Sequence, residues 1–430
     1  MYINSPLLHK FKSNSLAKDS FWALLGSGIG KGLSLIAGIF VARLLGSEVY
    51  GEYGTIRTTL IYIAIVSTFG FGYTATKYVA EYKIDGSLKL RSLVYKILMI
   101  TFYVSTVLAL LFIIFANDIS LLLKSANLSI LLKRYSILII FNALVTTQIA
   151  IISGFKNFKA TSIINIYSGV IVFVCSILFT YFWGLDGAIL ALLFSFLVQL
   201  ILNQIVIIKE LRKVLESNNI FTWKETLPLI KFSTPIALQE SLYSIVHWAT
   251  LWLLIEFSDY TQVGLSSAGA LWQSVVIFIP AMLKNVMFSY LTTDKKSNQL
   301  TKQLIIINFI CSLIPSVIVI LLSSVISNFY GYSFNGVRTI IILSVSSSVF
   351  ISISEVYCYK LISNNYPWFV FFSRFIRDIF ILSSAYIVFI HINSSEAMYL
   401  SLISLIASII YLIVIAIFTK RLFYISNVSK

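Results

Sequence analysis

The feature that most constrains this chain is a succession of about twelve apolar stretches, each near the roughly 20 residues that a bilayer-spanning helix needs. Several of these stretches carry an ionisable side chain. A charge at the bilayer centre costs roughly 2.5 to 3.5 kcal/mol, so such residues normally face a bundle interior or a water-filled cavity. The pattern predicts an all-α polytopic membrane protein and favours a transporter. The residues concerned are Lys31, Glu240, Lys284, Glu355, Arg374, Arg377 and Asp378.

The composition supports this class and excludes others. Hydrophobic residues make up 58% of the chain and charged residues 11%, values that a soluble domain does not reach. The net charge of +15 comes from basic residues scattered through short loops, so a nucleic-acid partner is not predicted. Cys175, Cys311 and Cys358 lie in apolar stretches and are interpreted as small core residues, without a disulfide or a metal site.

Apolar runs and their flanking charges predict twelve transmembrane helices. The first six are Phe21 to Leu44, Thr55 to Tyr73, Leu93 to Ala116, Tyr135 to Phe155, Thr161 to Trp183 and Gly187 to Ile208. The other six are Phe232 to Glu256, Gly264 to Leu291, Leu304 to Phe329, Thr339 to Tyr359, Trp368 to Ile390 and Met398 to Phe418.

The distribution of basic residues predicts the orientation in the membrane. When the N-terminus is placed inside, most of the 32 Lys and Arg residues fall in cytoplasmic loops, as the positive-inside rule requires. We therefore expect both termini to be cytoplasmic and the first helix to be uncleaved, in the cytoplasmic membrane of a bacterium. The outer segments hold Arg43, Lys124, Lys133, Arg134 and Arg338.

The chain is predicted to consist of two halves. Residues 1–208 form a first six-helix bundle, 209–231 a cytoplasmic linker and 232–430 a second six-helix bundle. An offset of 213 residues aligns Gly51 with Gly264 at the same place in each half. Because each half has an even number of spans, the repeat is parallel, related by an axis along the membrane normal.

The glycine-rich segment Gly26 to Gly32 resembles a phosphate-binding loop only superficially. Leu25 stands where such a loop needs glycine, no hydroxyl follows the lysine, and the segment lies in an apolar helix rather than after a strand. Close helix packing or a bend in the first span explains these small residues better. Lys31 lies within the segment and remains a functional candidate.

Polar residues share one face of the eleventh predicted span. Arg374, Arg377 and Asp378 are spaced i, i+3 and i+4 on one helix face, so one arginine is predicted to stay unpaired. That arginine either functions or extends along the helix toward the cytoplasm.

The seventh and eighth spans also carry polar faces. Glu240, Tyr243 and His247 share a face of the seventh, and Gln273 and Lys284 lie three turns apart on the eighth, so these faces are predicted to line a shared cavity. A structural hydrogen bond is the alternative for Glu240 and also for Glu355. For a lone histidine the alternative is simple packing.

The charges within the spans are predominantly positive. Arginine and lysine bind phosphate oxygens well, so this excess favours an anionic cargo. The many Tyr and Trp side chains fit interfacial belts or, alternatively, stacking on sugars. The cations are Lys31, Arg57, Lys96, Lys284, Arg374 and Arg377, and the anions are Glu240, Glu355 and Asp378.

Three segments carry a family resemblance. Residues 42–54 (ARLLGSEVYGEYG), 69–82 (FGFGYTATKYVAEY) and 153–159 (SGFKNFK) resemble Wzx-type polysaccharide flippases. These flippases belong to the multidrug/oligosaccharidyl-lipid/polysaccharide exporter superfamily. The overall layout agrees along the chain, although the C-terminal half is recognisable mainly by its topology.

The resemblance implies two six-helix bundles around a central cationic cavity that opens alternately to either side. The implied cargo is an oligosaccharide repeat unit on undecaprenyl diphosphate, flipped for O-antigen or capsule assembly alongside polysaccharide polymerase machinery and membrane lipids. A proton or sodium gradient drives such cycles, and no cofactor or catalytic residue is implied. The candidates for the anionic headgroup are Lys31, Lys284, Arg374 and Arg377. The candidates for ion coupling or for polar cavity lining are Glu240, His247, Gln273, Glu355 and Asp378.

Other functions stay open at this point. A multidrug exporter of the same superfamily would carry cationic drugs in an acidic cavity, and teichoic acid precursors are anionic like the favoured cargo. A polysaccharide polymerase would carry a large outer loop with basic residues. The longest outer loop predicted here, residues 117–134, holds few polar groups, and the chain lacks a metal-ligand cluster or sugar-nucleotide motif, so an enzyme is not predicted.

Overall fold

The computed structural model describes residues 14–85, 88–125, 127–214, 222–293, 298–364, 366–391 and 396–428, and this part of the chain contains helices and no strand. The helices of the N-terminal half are α1 (Asn14–Ser67), α2 (Phe71–Ile84), α3 (Leu90–Leu122), α4 (Asn127–Arg134), α5 (Ile137–Gly154) and α6 (Phe158–Leu211). Those of the C-terminal half are α7 (Trp223–Phe257), α8 (Tyr260–Thr293), α9 (Asn298–Tyr330), α10 (Val337–Ser363), α11 (Pro367–His391) and α12 (Ala397–Val428), with a short 3-10 helix at Tyr332–Phe334.

The twelve predicted spans lie on these helices, which confirms the all-α polytopic fold class. In the described residues, eight helical stretches are long and apolar enough to cross a membrane. Phe158–Leu211 contains two predicted spans, and Gly28–Ser67 contains most of two others.

Single glycines interrupt these two long helices. Gly46 has φ 75° within α1, and Gly184 has φ 54° within α6. Glycine adopts positive φ without steric cost, so one residue is enough to redirect the chain. The loop expected at residues 45–54 is therefore wrong, because helix resumes directly after Gly46.

Two other boundaries differ from the prediction. The second span is not one helix: α1 ends at Ser67 and α2 begins at Phe71. The hydroxyls of Ser67 and Thr68 donate to carbonyls within the last turn of α1, and Phe69 and Gly70 follow with positive φ. The outer segment 117–134 is also mostly helical, because α3 continues to Leu122 and α4 fills residues 127–134.

Contacts between residues divide the chain into two compact units. The first unit comprises Met1–Ala37 and Ile56–Ser244, and the second comprises Gly38–Thr55 and Ile245–Lys430, in each case within the described residues. Residues 38–55 of α1 thus pack with the second unit. The division into halves predicted from the sequence rests on the repeat instead, and it stays a prediction.

The core of the first unit lies where α2, α3 and α5 meet the ends of α6 and α7. Its fully buried side chains include Phe71, Leu93, Ile97 and Ile151. Unlike the lipid-facing side chains, these residues are enclosed by neighbouring helices. Close van der Waals packing of this kind holds helices together where both lipid and core are apolar.

In the second unit, α10 is the central helix and packs along α8, α9 and α12. It carries the buried serines Ser347, Ser348, Ser352 and Ser354. Each hydroxyl donates to a carbonyl of the preceding turn, at 2.7 to 3.1 Å. The small side chains permit close helix contact, and their polar atoms are satisfied within α10 itself.

Gly51 and Gly264, which the repeat aligns, face each other where residues 38–55 cross α8 in the second unit. A Cβ atom on Gly51 would lie 1.8 Å from the carbonyl oxygen of Tyr260, and one on Gly264 would lie 2.0 Å from that of Ser47. The contact is reciprocal, so neither glycine can be enlarged without moving the helices apart.

Candidate functional site

The first half of α1 is held in place by glycine packing. Cβ atoms on Gly26 and Gly30 would lie 2.5 Å from the carbonyl oxygens of Ser162 and Asn165 on α6. This close approach confirms the packing interpretation of the glycine-rich segment. Lys31 follows Gly30 and therefore points about 100° away from the packed face of the helix.

Two cations of the first unit lack a counterion. Lys31 and Arg57, which we call the cation pair, both lie on α1 with exposed side chains. Their charges are close enough to act on each other. Among the described residues, neither side chain makes an ion pair or a hydrogen bond within the protein. The cation pair can therefore bind anionic oxygens without first displacing a carboxylate.

Two tyrosines lie in the same unit. Tyr62 on α1 and Tyr243 on α7 form an edge-to-face pair, with ring centroids 6.4 Å apart and an interplanar angle of 84°. The charge of Arg57 acts on the Tyr62 hydroxyl group. The predicted polar face of α7 extends in both directions from Tyr243, with half-buried Glu240 in the first unit and half-buried His247 in the second.

The arginines of the second unit are arranged differently. Arg374 on α11 donates through Nη2 to both carboxylate oxygens of Glu355 on α10, at 2.6 and 2.8 Å. Arg377 donates to Asp378 Oδ1 through Nε at 2.8 Å and through Nη2 at 2.6 Å. We call these four residues the ion-pair cluster. The prediction that one arginine has no partner is wrong, because Glu355 of the neighbouring helix supplies the second carboxylate.

Further contacts fix the ion-pair cluster within the second unit. The guanidinium carbon of Arg377 lies 5.0 Å from the centre of the Tyr411 ring on α12. The Tyr411 hydroxyl lies 3.3 Å from Cys358 Sγ and 3.4 Å from Ser373 Oγ. Cys358 is fully buried, as expected of a core cysteine. The arrangement joins α10, α11 and α12 through satisfied polar groups.

The two predicted residues of the eighth span, Gln273 and Lys284, both lie on α8. Gln273 donates through Nε2 to Ser347 Oγ at 2.9 Å, which ties α8 to α10. Lys284 lies within α8, but its side chain is outside the described part of the structure. Within the described residues, no group of three or more His, Cys, Asp or Glu side chains is placed to hold a metal ion.

Two basic residues have environments that the sequence did not reveal. Arg57 is one of the span cations predicted from the sequence but not one of the headgroup candidates, because it lies near the start of the second predicted span. It instead lies eleven residues beyond the interruption at Gly46, within continuous helix. Lys360 follows the tenth predicted span, which ends at Tyr359, and is therefore predicted to lie in a cytoplasmic loop. It lies instead in α10 with 3% exposure. The continuation of an apolar run past Tyr359 is the one signal that places Lys360 in a helix.

Residues 16–288 match the sequence model of a family described as "Polysaccharide biosynthesis protein". No curated protein matches the chain at a significant level.

Several solved structures are similar to the chain over nearly its whole length. An inward-facing multidrug resistance MATE family transporter of the MOP superfamily has 15% identity and a TM-score of 0.73, over 94% of this chain and 98% of that one. Lipid II flippase MurJ in an inward closed conformation has 15% identity and a TM-score of 0.69, over 95% and 92%. A MOP superfamily transporter from Pyrococcus furiosus, described by a reversed polarity of its binding pocket, has 15% identity and a TM-score of 0.68, over 96% and 95%. At these identities the likeness establishes the fold, which is that of MOP-superfamily transporters.

Proposed function

Because the chain belongs to the polysaccharide biosynthesis protein family, we propose that it is a flippase for oligosaccharide repeat units linked to undecaprenyl diphosphate. In this proposal it works by alternating access in the cytoplasmic membrane of a bacterium, with both termini cytoplasmic, and it supplies O-antigen or capsule assembly. The observation that carries the proposal is the cation pair in the first unit.

The chemistry of the cargo fits the cation pair. A diphosphate presents several anionic oxygens, which arginine binds as a fork and lysine as a point charge. Unpaired cations within membrane spans are costly unless they face water or a ligand. Lys31 and Arg57 remain exposed, and this arrangement suits a site that is filled and emptied in each transport cycle.

The same observation favours a flippase over a drug exporter. Multidrug transporters and a lipid II flippase share this fold, so the fold does not distinguish the two functions. The charge of the site does, because Lys31 and Arg57 are both cations and would repel cationic drugs.

The other candidate residues from the sequence have different roles in this proposal. Lys284 remains a headgroup candidate from its position in α8. Arg374 and Arg377 are already neutralised by carboxylates, so we assign them the secondary role of shaping the second unit. Coupling to H+ or Na+ remains proposed, with Glu240 as its carboxylate.

The test is surface polysaccharide display in a deletion strain that expresses the wild type, Lys31→Gln, Arg57→Gln or the double variant. We expect the double variant to lose display and to accumulate lipid-linked precursor, at an unchanged level of protein in the membrane. Lys302→Gln is the matched control, because Lys302 is exposed on α9 at a distant position in the sequence. Full display by the double variant would refute the assignment of the cation pair. Absence of precursor accumulation in the empty deletion strain would refute the flippase.

A further inference from the structure

The tyrosine pair, Tyr62 and Tyr243, joins α1 to α7 and leaves ring surface exposed. Tyr243 is 46% exposed, whereas the side chains of the first-unit core are almost fully enclosed. Its neighbour Tyr62 meets it edge to face, so a ring face of the pair stays accessible.

The position of the pair argues against a lipid-facing belt. Tyr243 shares a helix face with Glu240, one turn earlier on α7, and ionisable side chains within spans face a bundle interior or water. On α1, the neighbouring Arg57 is subject to the same restriction. We therefore place the exposed ring surface of Tyr243 on the aqueous side of α7, in the same unit as the cations.

We propose that Tyr62 and Tyr243 form a sugar subsite that binds the first sugar of the cargo while Lys31 and Arg57 bind the adjacent diphosphate. The inference rests on the proposed function and names a part of the cargo that the cations cannot recognise. A sugar ring presents an apolar face of C–H groups that packs on an aromatic face, and its hydroxyls bond to a phenol. The sugar attached directly to the diphosphate is the one within reach of both groups.

The test is a pair of binding titrations on the purified full chain in lipid nanodiscs. The two probes are undecaprenyl diphosphate and the same lipid bearing one N-acetylglucosamine on its terminal phosphate. We expect the wild type to bind the sugar-bearing probe about tenfold more tightly, because the sugar adds one stacking contact with an aromatic ring.

The variants separate the sugar subsite from the cation pair. Tyr243→Leu should abolish the preference for the sugar-bearing probe and leave the affinity for the sugar-free probe unchanged. Tyr243→Phe retains the ring and should retain most of the preference, and Tyr62→Leu should repeat the effect of Tyr243→Leu. The matched control is Tyr386→Leu, because Tyr386 is 50% exposed and pairs edge to face with Phe257 in the second unit.

Each outcome has a distinct meaning. A preference that survives both Tyr243→Leu and Tyr62→Leu, or a wild type without preference, overturns the sugar subsite alone. If Lys31→Gln with Arg57→Gln weakens neither probe, or if the wild type binds neither, the proposed function itself fails. Retained binding of the sugar-free probe also shows that a variant is folded.

Discussion

Two cations of the first unit and two of the second stand in opposite arrangements. In the first unit, Lys31 and Arg57 stay exposed and, among the described residues, lack a counterion within the protein. In the second unit, Arg374 and Arg377 are each held by a carboxylate at hydrogen-bonding distance. The difference teaches that a positive residue within a span is not by itself a binding site, because its neighbours decide whether its charge is available to a ligand.

The energetic consequences of the two arrangements also differ. A buried ion pair is roughly neutral compared with an apolar replacement, but removal of one partner leaves an uncompensated charge. Removal of the exposed cation pair should change the free energy of unfolding little. The electrostatic free energy of keeping these two cations within the spans falls when an anion binds. We therefore expect variants of the second unit to affect stability and variants of the first unit to affect transport.

The largest effect should come from breaking the pair between Glu355 and Arg374. Glu355→Ala should lower the free energy of unfolding by about 3 to 5 kcal/mol, because it leaves Arg374 without its carboxylate. The measurement is thermal or denaturant unfolding of the purified protein. Glu355→Leu combined with Arg374→Met serves as the control and should come close to the wild type. Equal stability of Glu355→Ala and the wild type would contradict the description of this pair.

The spans could be predicted from the sequence, whereas pairings between helices could not. Apolar length placed the spans because bilayer thickness fixes that length. The helix-face argument grouped Arg374, Arg377 and Asp378, but it did not indicate that Asp378 pairs with its sequence neighbour Arg377. It missed Glu355 as the partner of Arg374, since the two lie 19 residues apart on different helices. Helix register is local and can be read from spacing, whereas a pairing between helices depends on how they pack. The break after Ser67 was missed, and the break at Gly46 was predicted as a loop over residues 45–54, because one or two residues with positive φ leave almost no hydropathy signal.

The next largest effect should distinguish two glycines of α1. Gly51→Ala should destabilise the second unit by about 1 to 3 kcal/mol, because the new methyl group would overlap the Tyr260 carbonyl and force the helices apart. Gly32→Ala, in the first unit, is the control: a Cβ atom there meets nothing within 4 Å. It should be neutral or stabilise the helix by up to about 1 kcal/mol. Unfolding curves of both variants check this, and similar behaviour of the two would exclude a tight crossing at Gly51.

A third variant gives Arg57 of the first unit a carboxylate partner, as Arg374 has in the second unit. Ile61 lies one turn after Arg57 on α1, so Ile61→Glu places a carboxylate beside the guanidinium group. We expect transport to fall about tenfold, equivalent to about 1.4 kcal/mol, while the melting temperature stays unchanged or rises. The readout is surface polysaccharide display together with the melting temperature. Ile61→Gln is equally polar but uncharged, and an equal loss of transport in that variant would show that charge is not the cause.

The smallest effect concerns an ion pair at the edge of the first unit, between Lys89 and Glu225 before the start of the seventh predicted span. Hydrogen bonds from Lys89 and from the Thr222 backbone and hydroxyl lower the pKa of Glu225 to about 2. A lowered carboxyl pKa gives a stabilisation that is complete above the ordinary value of 4.5 and is lost as the pH falls through about 2. Glu225→Gln should therefore lower the melting temperature slightly and by a constant amount between pH 8 and pH 5.

That difference should shrink as the pH falls from 4.5 toward 2, since the wild-type carboxyl group then becomes neutral too. Lys89 and Glu225 are half-exposed at the ends of α3 and α7, where water solvates both charges, so the change should be smaller than that of Glu355→Ala. Glu81→Gln is the matched control, because Glu81 is exposed on α2 and makes no ion pair among the described residues. A difference between the wild type and Glu225→Gln that persisted at pH 2 would show that lost packing, not charge, causes the effect. A change as large as that of Glu355→Ala would show that an ion pair at the helix ends contributes as much as the pair between α10 and α11.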